Sequence, residues 1–222
     1  MLPCAAKASI PIMLALALAG CGGGAAGPTP PIDKATYVPP RAELMAPGPL
    51  GERVLGKPNA PVTVIEYVSL TCPHCANFHK TVFPLVKKKY IDTGKVRFIV
   101  REFPIGRPSG NAAIANRCAP EDKYFYLLGQ FLSRQREWVS QDVRPDAIYA
   151  VAKSSGMTRE TFDKCLSNQN IIDGLTEVKQ RGRKFGVIGT PTFFINGRKA
   201  QGVVTFEEIK AMIEQAPAPS PS

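Results

Sequence analysis

Histidine is nearly absent: the 222 residues hold two, His74 and His79, so no site can be assembled from several imidazoles. No apolar run reaches the roughly 18 residues that a membrane-spanning helix needs. Acidic residues are in the minority, 18 against 28 lysines and arginines, which leaves a net charge of +10. Six cysteines are too few for a disulfide-dense miniature scaffold and enough for a redox site. Glycine (19) and proline (21) are concentrated, proline above all, in the first 61 residues and the last six, without a regular period, which excludes a collagen-like chain. The chain as a whole is 44% hydrophobic and 21% charged, a balance that buries a core of one ordinary domain.

The ends read as appendages. Residues 1–20 carry one charge, Lys7, ahead of an apolar stretch at 10–18, the layout of a secretory signal whose h-region is too short to span a bilayer. Leu18-Ala19-Gly20-Cys21 resembles the bacterial lipoprotein box, in which cleavage before Cys21 frees it for acylation. Ala17-x-Ala19 also fits ordinary cleavage, but that would strand an odd thiol outside the cytoplasm, where acylation would leave four. Either route predicts a mature protein working in an oxidising compartment, lipid-anchored in the first case and soluble in the second. Residues 21–50, Gly-rich and then Pro-rich, read as a tether, and 216–222 as a disordered tail.

Between them the pattern is mixed α/β. Val62–Val68 is β-branched and apolar, a buried strand. Thr71-Cys72-Pro73 opens a helix, with proline in the first turn, that runs through Tyr90 with a kink at Pro84. Residues 96–103 form a second strand, so the spacing predicts a parallel pair with a right-handed crossover. A helical period then occupies 109–133, 144–155, 158–167 and 170–185. Asn196-Gly197 between short apolar runs predicts a hairpin, closed by a helix over Phe206–Glu214.

Cys72-Pro73-His74-Cys75 carries the chemistry. Cys72 sits at the helix mouth, where unpaired N–H groups and the positive dipole end favour a thiolate; Cys75 lies one turn in, its sulfur covered. Cys72 is the expected attacking sulfur and Cys75 the resolving one, with His74 placed to support the Cys72 thiolate. A thiolate pKa of about 5 would favour the dithiol by ~2.7 kcal/mol at pH 7, making the disulfide roughly 60 mV more oxidising. A zinc site from Cys72, Cys75 and His79 lacks a second ligand pair nearby, and covalent haem needs histidine where Ala76 stands. A purely structural four-residue disulfide gains little from loop closure. No metal and no cofactor are expected.

The runs VIEYVSLTCPHCANF and GTPTFFINGR, separated by a helical stretch, resemble the DsbA family of thiol:disulfide oxidoreductases over about residues 51–215. The resemblance implies a thioredoxin fold with an all-helical insert at about 106–186. It implies a cis Thr190-Pro191 bond facing the cysteines, with the Thr190 backbone pairing to an extended substrate and Pro191 keeping metals off the thiols. It favours Glu66 as a buried acid handling the Cys75 proton, although a solvent-facing carboxylate at a strand edge is the plainer reading. His79 departs from the pattern, standing where some relatives carry an acidic residue. Some relatives hold a second disulfide, which here would be Cys118–Cys165 in place of two lone buried thiols; closing that loop would stabilise by up to ~4 kcal/mol.

The implied activity is donation of the Cys72–Cys75 disulfide to folding secreted proteins by a monomer, with reoxidation by a DsbB-type, quinone-linked membrane partner. A reductase or isomerase, or a metal-handling or chaperone-like module, are the rivals. Lys87, Lys88, Lys89, Lys95, Arg97 and Arg101 form a basic cluster without a nucleic-acid motif, read as solvated charge or, less directly, as attraction to anionic lipid.

Overall fold

A computed structural model of the chain describes residues 39–216. The signal segment, Cys21, most of the tether and the last six residues of the tail lie outside the described residues. The order is α1 (Arg41–Met45), β1 (Arg53–Leu55), β2 (Val62–Val68), α2 (Pro73–Thr81), α3 (Phe83–Val86), β3 (Val96–Glu102) and α4 (Gly106–Cys118). Then come α5 (Tyr124–Ser133), α6 (Gln135–Trp138), α7 (Pro145–Ala152), α8 (Arg159–Leu166), α9 (Gln169–Lys184), β4 (Thr192–Ile195), β5 (Arg198–Gln201) and α10 (Phe206–Glu214). The sheet runs β1-β3-β2-β4-β5, with β2 and β3 parallel and every other pair antiparallel.

β2 is buried along its whole length because both sheet faces are covered. Val62, Val64 and Val68 face the larger core with α2, while Ile65 and Tyr67 join Leu44, Ile99, Phe103, Phe185 and Phe194 on the other face. The helix after Cys72 breaks at Val82, just before Pro84, which has no N–H to donate to the preceding turn. Its continuation over Lys87–Ile91 is a π turn rather than a plain α-helix. Asn196 (φ 45°) and Gly197 (φ 92°) form the tight turn between β4 and β5.

Three expectations are corrected. The stretch read as tether up to residue 50 is folded from residue 41: Leu44 is 1% exposed, and three arginines grip the backbone around it. Arg181 donates to Pro47 O (2.9 Å) and Ala46 O (2.8 Å), Arg117 to Leu50 O and Gly51 O (both 3.1 Å), and Arg101 to Ala46 O (3.2 Å). Pro and Gly richness hid this arm, since its apolar anchors are single residues. Arg101 is therefore not a solvated member of a basic cluster; it is buried and paired with Glu52 at 2.8 Å. The predicted helix 109–133 is two helices, because Pro120 forces Ala119 into an extended conformation (ψ 150°).

Helices α4 to α9 lie between β3 and β4 and pack around Trp138, Phe131 and Phe162. Cys118 and Cys165 are joined across α4 and α8, with Cα atoms 6.2 Å apart. Where the insert meets the sheet, Glu102 at the end of β3 accepts from Arg117 Nε (2.5 Å) and Nη2 (2.6 Å) and from the Tyr124 hydroxyl (2.8 Å).

Gly182 lets α9 lie directly on the sheet: a Cβ there would stand 2.8 Å from Tyr67 Cε1 and 3.1 Å from Phe103 Cδ2. Gly182→Ala therefore gains up to ~1 kcal/mol of helix propensity but forces two buried rings to shift, at about 1–3 kcal/mol. The expected net effect is a loss of about 1–2 kcal/mol, read as a lower urea midpoint at unchanged m; a midpoint at or above wild type contradicts it.

Candidate active site

Cys72 is the N-cap of α2. Its backbone is extended (φ −78°, ψ 118°), Pro73 occupies the first helical position, and its Sγ accepts the Cys75 backbone N–H at 3.3 Å. A sulfur thus takes the place that a Ser or Asp oxygen fills at an ordinary helix start, and negative charge there is favoured by the exposed amides. Both cysteines are free thiols.

The two sulfurs differ sharply. The Cys72 thiol is lowered from 9.0 to about 6, first by the donated Cys75 S–H, then by the Thr190 hydroxyl and the backbone N–H groups of Cys75 and His74, against the opposing pull of burial. The Thr190 hydroxyl is buried and makes no hydrogen bond of its own. Cys75 moves the other way, far above a normal thiol, chiefly because it is buried, and further because the Cys72 and Glu66 charges oppose a second anion.

The Thr190–Pro191 peptide is cis, and as a thiol Cys72 donates to Thr190 O at 3.2 Å. The structure thus brings the Thr-Pro segment, 118 residues away in sequence, onto the cysteine. His74 is positioned differently from expectation. Its ring is exposed, and its contribution to Cys72 comes from the backbone N–H.

Glu66 is 0% exposed, which overturns the reading of a solvent-facing strand-edge carboxylate. It lies on the β2 face beneath α2 and takes His79 Nε2 at 2.8 Å and 3.1 Å through its two oxygens. His79 stands one turn after Cys75 on the same face of α2. The pair was not legible in the sequence, since its members sit 13 residues apart on different elements. The available signal was His79 at four residues from Cys75, over a strand face carrying an acid.

The loop leading into Cys72 is braced by the helical insert. Gln135 at the start of α6 donates from Nε2 to Leu70 O (2.8 Å) and Cys72 O (2.9 Å). Ser109 of α4 bonds Ser69 (2.8 Å) and receives Leu70 N–H (3.1 Å), while Thr71 donates to Ile105 O (3.2 Å). None of these residues carries a sequence motif.

A CxxC pair at the mouth of a helix beside a cis-proline, on a sheet of this order, defines a thioredoxin-fold dithiol protein. A family model described as thioredoxin matches residues 50–215. Among solved structures, alpha-DsbA1 of Wolbachia pipientis superposes with a TM-score of 0.71 at 30% identity, covering 79% of this chain and 95% of that one. A Rickettsia bellii protein provisionally named a protein-disulfide oxidoreductase is 35% identical over 74% of this chain and 64% of its own length. Disulfide bond formation protein D of Bacillus subtilis is 29% identical over 74% of this chain and 77% of its own. The chain belongs to the DsbA-like thiol:disulfide oxidoreductases of the thioredoxin superfamily. It spans less than two thirds of the length of the Rickettsia relatives.

Proposed function

We propose that this chain is an extracytoplasmic protein-disulfide oxidoreductase that gives its Cys72–Cys75 disulfide to thiols of folding secreted proteins. The observation that carries the reading is the asymmetry of the two sulfurs, with Cys72 lowered to about 6 and Cys75 held far above a normal thiol. A substrate thiolate attacks Cys72 Sγ, the Cys72–Cys75 bond breaks, and Cys75 leaves and takes a proton. A second substrate thiolate then attacks the substrate sulfur of the mixed disulfide, and Cys72 departs as a stable thiolate, a good leaving group.

The remaining roles follow the same reading. Pro73 fixes the first helical turn, Thr190 and Pro191 receive the extended client, and Glu66 manages the proton of Cys75. Cys118–Cys165 staples the insert. Anchoring through an acylated Cys21, work as a monomer and reoxidation by a DsbB-type quinone-linked membrane protein complete the proposal. No helix among the described residues is long and apolar enough to cross a membrane.

The test is equilibration with glutathione buffers at pH 7, paired with reaction of Cys75→Ala with a client peptide whose cysteine is held as an activated mixed disulfide. The expected outcomes are a potential above about −200 mV and a stable mixed disulfide on Cys72. A potential near that of thioredoxin, about −270 mV, would replace the oxidase reading with a reductase one.

A further inference from the structure

Two helices of the insert, α4 and α9, enclose a groove of about 460 Å³. α4 starts at Gly106, just past the end of β3, and α9 ends at Lys184, just before the segment that reaches Thr190. The two helices therefore lie antiparallel, with those ends on the Cys72 side of the sheet. Each end is tied to the redox centre. Ile105 O accepts the Thr71 hydroxyl at 3.2 Å, and Thr190 O accepts from Cys72 at 3.2 Å. Ile105 and Ile188, 48% and 84% exposed, leave large apolar side chains in solvent beside these contacts.

The groove is graded along its length. Its far part is apolar, with Ile114, Ile172 and Leu175; its near part carries Arg107, Lys179 and Arg183, and no acidic side chain lines it among the described residues. The guanidinium groups of Arg107 and Arg183 have no hydrogen-bond or ion-pair partner among the described residues. Lys179 meets only neutral groups, Pro104 O at 2.6 Å and the Phe103 ring at 5.6 Å. Its ammonium is pushed below the ordinary lysine value, first by burial and then by the Arg183 charge. Arg183 suits the negative end of the α9 dipole. Arg107 does not suit its place: it stands in the first turn of α4, against the dipole, with no acid or capping side chain beside it.

We propose that Arg107, Lys179 and Arg183 select clients by charge. An acidic segment flanking the reacting client cysteine seats at the near end of the α4–α9 groove, and neighbouring apolar side chains run on toward Ile114, Ile172 and Leu175. Cations without a carboxylate match an anionic occupant, and their place beside both loops that hold Cys72 makes that occupant the polypeptide undergoing exchange. Client carboxylates pair with the free guanidinium groups, so acidic clients are captured faster and are oriented before the sulfurs meet. The selection rests on the exchange activity proposed above and leaves its chemistry unchanged.

The experiment follows loss of thiol from three reduced peptides at low salt, each with one cysteine and the same apolar residues, flanked by Glu, Gln or Lys. Oxidised wild-type protein is expected to consume the Glu peptide at least about tenfold faster than the Gln peptide, with the Lys peptide slowest. Arg107→Gln with Arg183→Gln should cut the Glu-over-Gln ratio at least about fivefold; taking the ratio within each protein cancels any general change in reactivity. Lys88→Gln with Lys95→Gln removes the same charge from the end of the sheet where β3 begins, away from Cys72, and should keep the wild-type ratio. Equal loss in both double variants would make net charge, not the groove, the cause and overturns the proposal, as does a wild-type ratio near one. It is likewise overturned, in favour of lipid, if the arginine variant keeps the peptide ratio but loses binding to phosphatidylglycerol vesicles. Wild-type protein that leaves all three peptide thiols intact would instead overturn the exchange activity, so the two failures are distinguishable.

Discussion

Reduced protein is expected to gain stability over its Cys72–Cys75 disulfide form by about 1.4 kcal/mol for each pH unit between about 6 and 9. The acid involved is Cys72, whose folded value of about 6 lies below its ordinary value of 9.0. A depressed acid contributes fully above its unfolded value, loses its contribution as pH falls, and contributes nothing below its folded value. Across the whole window that amounts to about 4 kcal/mol. Above about pH 9 the difference turns down, because an unfolded chain ionises Cys75 whereas the fold keeps it protonated. Comparing the two redox forms at each pH cancels the titrating groups that do not feel the two cysteines. Urea unfolding of both forms from pH 5 to 10 reads the difference, and iodoacetamide should alkylate Cys72 with a midpoint near pH 6.

The same sulfur sets the pH slope of the reduction potential. Below about pH 6 reduction takes up two protons with two electrons, about 59 mV per pH unit; above it one proton suffices, about 30 mV per unit. A thiolate at about 6 favours the dithiol at pH 7 by about 1.4 kcal/mol, or about 30 mV, half of what a value of 5 would supply. A stability difference that stays flat from pH 6 to 9, with no break in the potential, would remove the basis for the donor role.

Arg117→Met is the second large effect, an expected loss of about 3–5 kcal/mol. Arg117 supplies two of the three hydrogen bonds to the buried Glu102 carboxylate, at 2.5 and 2.6 Å. Removing the guanidinium leaves that charge with only the Tyr124 hydroxyl at 2.8 Å. It also frees Leu50 O and Gly51 O of the N-terminal arm. The penalty belongs to the stranded anion rather than to the ion pair, so the double variant with Glu102→Leu should recover most of it. Urea denaturation of both variants decides the matter. A single-variant loss under 1 kcal/mol, or a double variant no better than the single, would show that the pair is not the buried brace described.

The contrast between the two regions explains what the sequence disclosed. The redox pair was legible because its chemistry is local: two cysteines at i and i+3, a proline that opens the helix, and β-branched residues before it. Thr190-Pro191 became legible only through family resemblance, since no local rule brings it to Cys72. The arm at 41–52 was not legible, because its docking depends on Arg101, Arg117 and Arg181, which come from three distant elements. β1 was missed for a different reason: three residues are too few for a periodic pattern, and Arg53–Leu55 becomes a strand by pairing with β3. Glu66 and His79 were each noticed alone, but only the crossing of α2 over β2 makes them partners.

The amide of Gln135 holds the carbonyls of Leu70 and Cys72 from the insert, not from the thioredoxin unit. The reactive thiol therefore keeps its setting only while the inserted helices stay seated. Loosening them anywhere along their contact with the sheet would release those carbonyls and change how Cys72 presents its sulfur, so structural integrity and chemical reactivity are read out at a single side chain.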